Sequence, residues 1–114
     1  MRKIKVKIRE KEYVLEFDRT SIKWLEENGF NLEEFNKKPI TFREYLWQCL
    51  FLKNHKDVNP NLALKLMDSY ADEKGQYMVN KVVQFAFQEY VSFINALTDT
   101  SSETTEEELE IIEQ

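Results

Sequence analysis

The chain has 114 residues, the size of a single domain, and its 42% hydrophobic share is that of a globular protein. Its single cysteine, Cys49, excludes an internal disulfide, and no apolar run is long enough to span a membrane. The net charge of −5 is uneven, because residues 99–114 hold seven of the 21 acidic residues and none of the 16 basic ones. We therefore expect one globular domain over residues 1–98 and an acidic, flexible tail over residues 99–114.

The first segment, residues 3–17, alternates charged and apolar residues with the period of a β-strand, which predicts a hairpin. A two-residue turn at Glu10-Lys11 places the apolar residues on one side, pairing Ile4 with Phe17, Val6 with Leu15 and Ile8 with Tyr13. The other side then pairs Lys5 with Glu16, Lys7 with Val14 and Arg9 with Glu12. This turn lacks the glycine or asparagine that tight hairpins favour.

From Asp18 onward the sequence has helical periodicity, so the predicted fold class is α+β, with four to five α-helices after the hairpin. Gly29 marks the end of the first helix, Thr41 begins a capping box, and Asn59-Pro60 is a typical helix start. The predicted helices cover about 19–28, 32–37, 42–53, 60–71 and 76–97.

Two helical faces carry more large apolar residues than one core stripe requires. Trp47 and Phe51 lie opposite the apolar stripe of their own helix, so either a neighbouring helix or the hairpin covers them, or they form an exposed anchor for a partner. The helix over 76–97 is apolar around more than half of its circumference, which indicates either a central helix or one shared with another subunit. Phe87 and Tyr90 are its predicted contact residues, and self-association is the expected outcome.

We find no pattern that predicts a catalytic, cofactor-binding or metal-binding site. His55 is the only histidine and lies in a polar run, and Cys49 falls on an apolar stripe as a buried residue. The two glycines of the chain do not form a phosphate-binding loop. We therefore expect a protein that is not an enzyme and that binds no cofactor or metal.

The first strand presents Lys3, Lys5, Lys7 and Arg9 on one side. Such a stripe is compatible with nucleic acid, but Glu12 and Glu16 offset part of its charge, and lysines on an edge strand also protect against aggregation. Docking of the chain's own acidic tail or of an acidic partner is the preferred interpretation. No nucleic acid and no membrane are expected as partners.

The segment from Lys11 to Asn31, together with Leu32–Phe35 and Lys38–Thr41, resembles a family of small proteins from phages and prophages of Gram-positive bacteria. Members of that family are regarded as tail assembly chaperones. The resemblance extends over about residues 4–41 and is only general beyond them.

The resemblance implies a non-catalytic chaperone that binds the tape measure protein and tail tube subunits during tail morphogenesis. It implies a protein of the bacterial host cytoplasm that is not part of the mature virion. The contact residues expected from the helical faces are Trp47, Phe51, Phe87 and Tyr90. The alternative is a prophage-encoded inhibitor or regulator that acts through its acidic tail.

Overall fold

The computed structural model describes the backbone of residues 2–103 and the side chains of residues 2–97. The fold is α+β, as predicted: an antiparallel hairpin precedes four α-helices. The elements are β1 (Lys3–Ile8), β2 (Lys11–Glu16), α1 (Arg19–Glu27), α2 (Pro39–Gln48), α3 (Pro60–Lys74) and α4 (Gln76–Glu103), with short 3₁₀ turns at Leu32–Glu34 and Cys49–Phe51. Of the predicted acidic tail, residues 104–114 lie outside the described residues.

The hairpin turn lies at Arg9-Glu10, so the predicted turn at Glu10-Lys11 and its strand pairing are wrong. The observed partners are Lys3 with Glu16, Ile4 with Leu15, Lys5 with Val14, Val6 with Tyr13, Lys7 with Glu12 and Ile8 with Lys11. Each strand residue is displaced by two positions relative to its predicted partner. Because side chains alternate with a period of two, this shift keeps every side chain on its predicted side. The apolar side of the hairpin therefore still faces the core.

The turn holds two residues in a conformation that usually requires glycine, with φ of 50° at Arg9 and 67° at Glu10. Contacts with α3 compensate for part of this strain. The backbone N–H of Arg9 donates to both carboxylate oxygens of Glu73 at 3.0 Å, and Arg9 Nε donates to the hydroxyl of Ser69 at 2.9 Å. The turn position is thus stabilised by tertiary contacts that the local sequence does not reveal.

The helix ends follow the predicted caps in some places and not in others. The Asn59 side chain accepts a hydrogen bond from the Leu62 N–H at 2.8 Å, as expected of an N-cap. The helix predicted over 42–53 with a cap at Thr41 instead begins at Pro39, whose fixed φ suits the first helical turn. It ends at Gln48, and the predicted helix over 32–37 is only a 3₁₀ turn.

The two C-terminal helices are longer than predicted. The third helix continues past residue 71 to Lys74, where Gly75 ends it with a φ of 91°. Helix α4 continues past residue 97 to Glu103. The core lies between the apolar side of the hairpin and α1 to α4, and its largest fully buried side chains are Trp47, Phe17, Phe51, Ile8, Leu15, Leu25, Leu46 and Leu50.

Candidate partner-binding surface

Two of the four predicted contact residues, Trp47 and Phe51, lie in the core and form no surface. Both side chains are 0% exposed, so the interpretation as an exposed anchor is wrong and the covering alternative holds. The Trp47 indole N–H donates to the carbonyl of Ala63 in α3 at 2.7 Å. The Phe51 ring packs edge-on against Tyr13 of β2, with the ring centroids 5.8 Å apart. Helix α3 and the hairpin therefore cover the face of α2 that the sequence left open.

The other two predicted residues, Phe87 and Tyr90, are half-buried and lie on one side of α4. Phe87 packs edge-on against Phe35, at 5.6 Å between centroids, and Tyr90 packs against Phe30 at 4.8 Å. Burial, together with the negative charge of Glu26, raises the pKa of the Tyr90 phenol. Its hydroxyl therefore stays protonated, and the side chain remains uncharged on this surface.

An open cleft of about 430 Å³ runs between α4 and the start of α2. Its apolar walls come from three parts of the chain: the segment before α2, α2 itself and α4. The lining residues are Phe35, Pro39, Arg43, Leu46, Asn80, Val83, Gln84 and Phe87. The dimensions and apolar walls of the cleft suit the side chains of a partner helix.

The polar rim of the cleft is fixed by Arg43 of α2. Its guanidinium donates to the side-chain carbonyl of Asn80 at 2.8 and 3.1 Å and to that of Gln76 at 2.9 Å. Because these bonds join α2 to α4, they hold the two walls at a set distance. The cleft is thus preformed, with polar groups along one rim and apolar groups inside.

An apolar stripe continues from the cleft along the second half of α4. We call Val83, Phe87, Tyr90, Ile94 and Leu97 the α4 seam; successive members are four, three, four and three residues apart, which is the spacing of a heptad repeat. Burial decreases along it: Val83 is 9% exposed, Phe87, Tyr90 and Ile94 are half-buried, and Leu97 is 55% exposed. Ala86 is the last fully buried residue of α4 among residues 76–97.

The two most reactive side-chain types, the Cys49 thiol and the His55 imidazole, have structural roles here. Burial raises the pKa of the Cys49 thiol, which disfavours the nucleophilic thiolate. His55 is half-buried, and its Nε2 accepts a hydrogen bond from the Val14 N–H at 2.9 Å. Among residues 2–97, no three His, Cys, Asp or Glu side chains are grouped as metal ligands would be. Within the described part of the chain, no helix has the length and apolar character needed to cross a membrane.

Sequence reasoning identified Phe87 of the cleft and Tyr90 of the α4 seam but missed the walls of the cleft that α4 does not form. Phe35 and Pro39 precede or begin α2, and Leu46 belongs to its apolar stripe, so no local pattern groups them with α4. The heptad spacing of the α4 seam is a signal that was present in the sequence. It becomes informative only when the exposure of each member is known.

The fold and this surface define a small α+β domain with a preformed apolar cleft beside a long helix. The chain belongs to the family described as domain of unknown function DUF5055, whose model matches residues 1–111. No curated protein and no solved structure matches the chain.

Proposed function

We propose that the chain is a non-catalytic tail assembly chaperone of a phage or prophage, which binds the tape measure protein and tail tube subunits during tail morphogenesis. It acts in the cytoplasm of the bacterial host and is not part of the mature virion. The tape measure protein, a long helical client, is the principal partner. The resemblance over residues 4–41 supports this class of protein.

The observation that carries the proposal is the α4 seam with its adjoining cleft. A heptad-spaced stripe is the surface that an amphipathic helix recognises, because its own apolar residues recur at the same interval. The aromatic ring of Phe87 lies at the junction of cleft and seam, where a partner residue contacts both. Aromatic residues in such central positions commonly contribute most of the binding energy.

A chaperone of this kind must also release its client. Only part of the apolar area of the α4 seam is exposed, since Tyr90 and Phe87 already pack against Phe30 and Phe35. Each copy therefore contributes a modest contact area, and several copies along one long helical client give avidity without a tight single contact. Tail tube subunits then displace the chaperone copy by copy. The same seam supports self-association of the free chaperone.

The proposal is tested by co-expression with the tape measure protein encoded nearby. A chaperone gene is expected between a major tail protein gene and a very long tape measure gene. The wild-type chain should co-purify with that client and keep it in the soluble fraction. Phe87→Ala should weaken client binding about thirtyfold, which corresponds to about 2 kcal/mol.

The matched control is Tyr77→Ala, because Tyr77 is an aromatic residue of the same helix outside the cleft and is 69% exposed. This variant should bind the client like the wild-type chain. Unfolding of Phe87→Ala by urea checks that its fold persists, with an expected loss of at most about 2 kcal/mol, since the ring is only half-buried. A folded Phe87→Ala protein that retains full client binding contradicts the proposal.

A further inference from the structure

The two outer edges of the hairpin differ in whether side chains hydrogen-bond to their outward backbone groups. The two-residue turn makes Ile8 and Lys11 a hydrogen-bonded pair, so Val14 and its partner Lys5 direct their backbone groups outward. On the β2 side these groups are satisfied by side chains from the segment after α2. The Val14 N–H donates to His55 Nε2 at 2.9 Å, and the Val14 carbonyl accepts from Asn54 Nδ2 at 3.3 Å.

Helix α3 packs against β1, but no side chain among residues 2–97 bonds the outward backbone groups of this strand as His55 and Asn54 do on β2. The same alternation directs the backbone N–H and C=O groups of Lys3, Lys5 and Lys7 outward. Among residues 2–97, no backbone or side-chain group forms a hydrogen bond with them. An open row of this kind is the template on which an additional strand pairs.

The charge along this edge determines what kind of strand it favours. The side chains of Lys3, Lys5 and Lys7 are all exposed on the outer face of the hairpin. Lys7 faces Glu12 across the sheet and Lys3 faces Glu16, but Glu16 is already bound by the ammonium of Lys53 at 2.9 Å. Lys5 faces Val14 and has no acidic partner in the register.

Additional basic residues lie at both ends of β1. Arg2 and Lys81 line one cleft, and Lys7 and Lys74 line another together with Glu10 and Glu73. Of the acidic groups nearby, Glu89 is paired with Arg2 at 2.6 Å and Glu73 accepts the backbone N–H of Arg9. Glu89 offsets Arg2, and Glu10 and Glu73 offset Lys7 and Lys74. The excess of positive charge at this edge therefore lies on Lys3, Lys5 and Lys81, and it attracts an acidic segment.

A second copy of the chain is a poor occupant of this edge. Pairing of β1 with another β1 places lysines opposite or diagonal to lysines on the outer face, and like charges at those positions destabilise a sheet. An extended segment with acidic residues at every second position instead places a carboxylate beside each ammonium group. Its intervening residues then lie on the apolar side of the sheet.

We infer that the open edge of β1 binds an extended acidic segment of a partner protein as the third strand of the sheet. The backbone of Lys3, Lys5 and Lys7 supplies the hydrogen bonds, and their ammonium groups select acidic residues at alternate positions. This surface is separate from the α4 seam and does not depend on the proposed chaperone function. The competing interpretation is that the edge lysines only prevent aggregation.

The test uses the full-length chain and three synthetic peptides of six residues. The first alternates glutamate with valine, the second replaces each glutamate by lysine, and the third is the first peptide with its pairing amides N-methylated. The first peptide should bind and slow the hydrogen exchange of the Lys5 and Lys7 amides, as measured by NMR. The lysine peptide should not bind, because its charge is repelled. The N-methylated peptide should bind at least about tenfold more weakly, because it cannot donate the strand hydrogen bonds.

Charge reversal locates the binding site. Lys5→Glu should weaken binding of the acidic peptide about tenfold, since attraction to two neighbouring carboxylates becomes repulsion. The matched control is Lys38→Glu, which changes the net charge equally at an exposed position outside the hairpin. Phe87→Ala should bind the peptide normally, which separates this result from a failure of the chaperone proposal. Equal affinity for the N-methylated peptide, or Lys5 and Lys7 amides already protected in the free chain, would overturn the inference.

Discussion

Two pairs of aromatic residues illustrate how differently similar helical patterns are used in this molecule. Trp47 near the end of α2 and Phe51 in the following 3₁₀ turn are four residues apart, and Phe87 and Tyr90 are three residues apart in α4. The first pair is completely buried, whereas the second is half-buried, with Phe87 lining the cleft and Tyr90 on the α4 seam beyond it. The excess of apolar residues therefore has two causes, a second core face on α2 and a candidate contact surface on α4.

The difference arises from what lies beside each helix. Helix α3 passes close enough to α2 for the Trp47 indole to bond the Ala63 carbonyl, and Tyr13 of β2 covers Phe51. Along α4, Phe30 packs against Tyr90 and Phe35 against Phe87, and both seam residues stay half-buried. Variants in the two regions should therefore separate stability from partner binding.

The largest effect is expected from Trp47→Ala in the buried region. Removal of a fully buried indole leaves a cavity and removes its hydrogen bond to the Ala63 carbonyl, so the free energy of unfolding should fall by about 3–5 kcal/mol. Urea denaturation followed by circular dichroism measures this loss. Phe87→Ala is the matched comparison and should lose at most about half as much. Equal losses in the two variants would contradict the distinction between the two regions.

A smaller change, an increase in the free energy of unfolding, is expected from a substitution in the hairpin turn. This turn leads into β2, whose Tyr13 packs against Phe51. Glu10 has a φ of 67°, where glycine is favoured over residues with a side chain. Glu10→Gly should therefore raise the free energy of unfolding by about 0.5–1 kcal/mol, since relief of strain exceeds the added backbone entropy of glycine. Thermal unfolding measures the gain.

Gly29→Ala serves as the control for the turn variant. Gly29 has a φ of 81° and no neighbouring atom within 4 Å of an added Cβ, so alanine there introduces backbone strain without a steric clash. The melting temperature should fall in this variant and rise in Glu10→Gly. If both substitutions lower the melting temperature, the side chain of Glu10 stabilises the turn by more than its backbone strain destabilises it.

The smallest effect concerns pH and the ion pair between Glu16 and Lys53, which joins β2 to the segment after α2. Hydrogen bonds from Lys53 and Asn54 lower the pKa of Glu16 from its ordinary 4.5, and the hydrogen bond with Glu16 raises the pKa of Lys53. The stabilisation from Glu16 is thus fully present above pH 4.5 and is lost as the pH falls through its lowered pKa. The stabilisation from Lys53 is fully present below its ordinary pKa of 10.5 and is lost as the pH rises through its raised pKa.

Glu16→Gln tests this dependence when its melting temperature is compared with that of the wild-type chain. The difference should be constant at neutral pH and should shrink as the pH falls below 4.5, because the wild-type carboxylate is then protonated as well. A difference that grows on acidification would contradict the assigned direction. Client binding at neutral pH should be the same in both proteins, since the pair lies outside the cleft and the α4 seam.

Much of the fold was predictable because it depends on short-range periodicity. Alternation over residues 3–17 determined which side of the hairpin is apolar, and Asn59 and Gly29 marked helix ends through their local hydrogen-bonding and backbone preferences. Cys49 was predicted to be buried from its place on an apolar stripe, and it is. Of the candidate surface, Phe87 and Tyr90 were predicted from the apolar face of α4, whereas the walls formed by Phe35, Pro39 and Leu46 come from separate parts of the chain.

The sequence by itself determined the class of the fold, the apolar side of each strand and the position of several helix caps. Only the tertiary structure decided that the turn lies at Arg9-Glu10, that Trp47 and Phe51 are covered, and that β2 has a capped edge while β1 has an open one. The physical reason is that periodicity fixes the direction of a side chain relative to its own element. Which element covers that side chain depends on contacts between residues far apart in the chain, and these leave no local pattern.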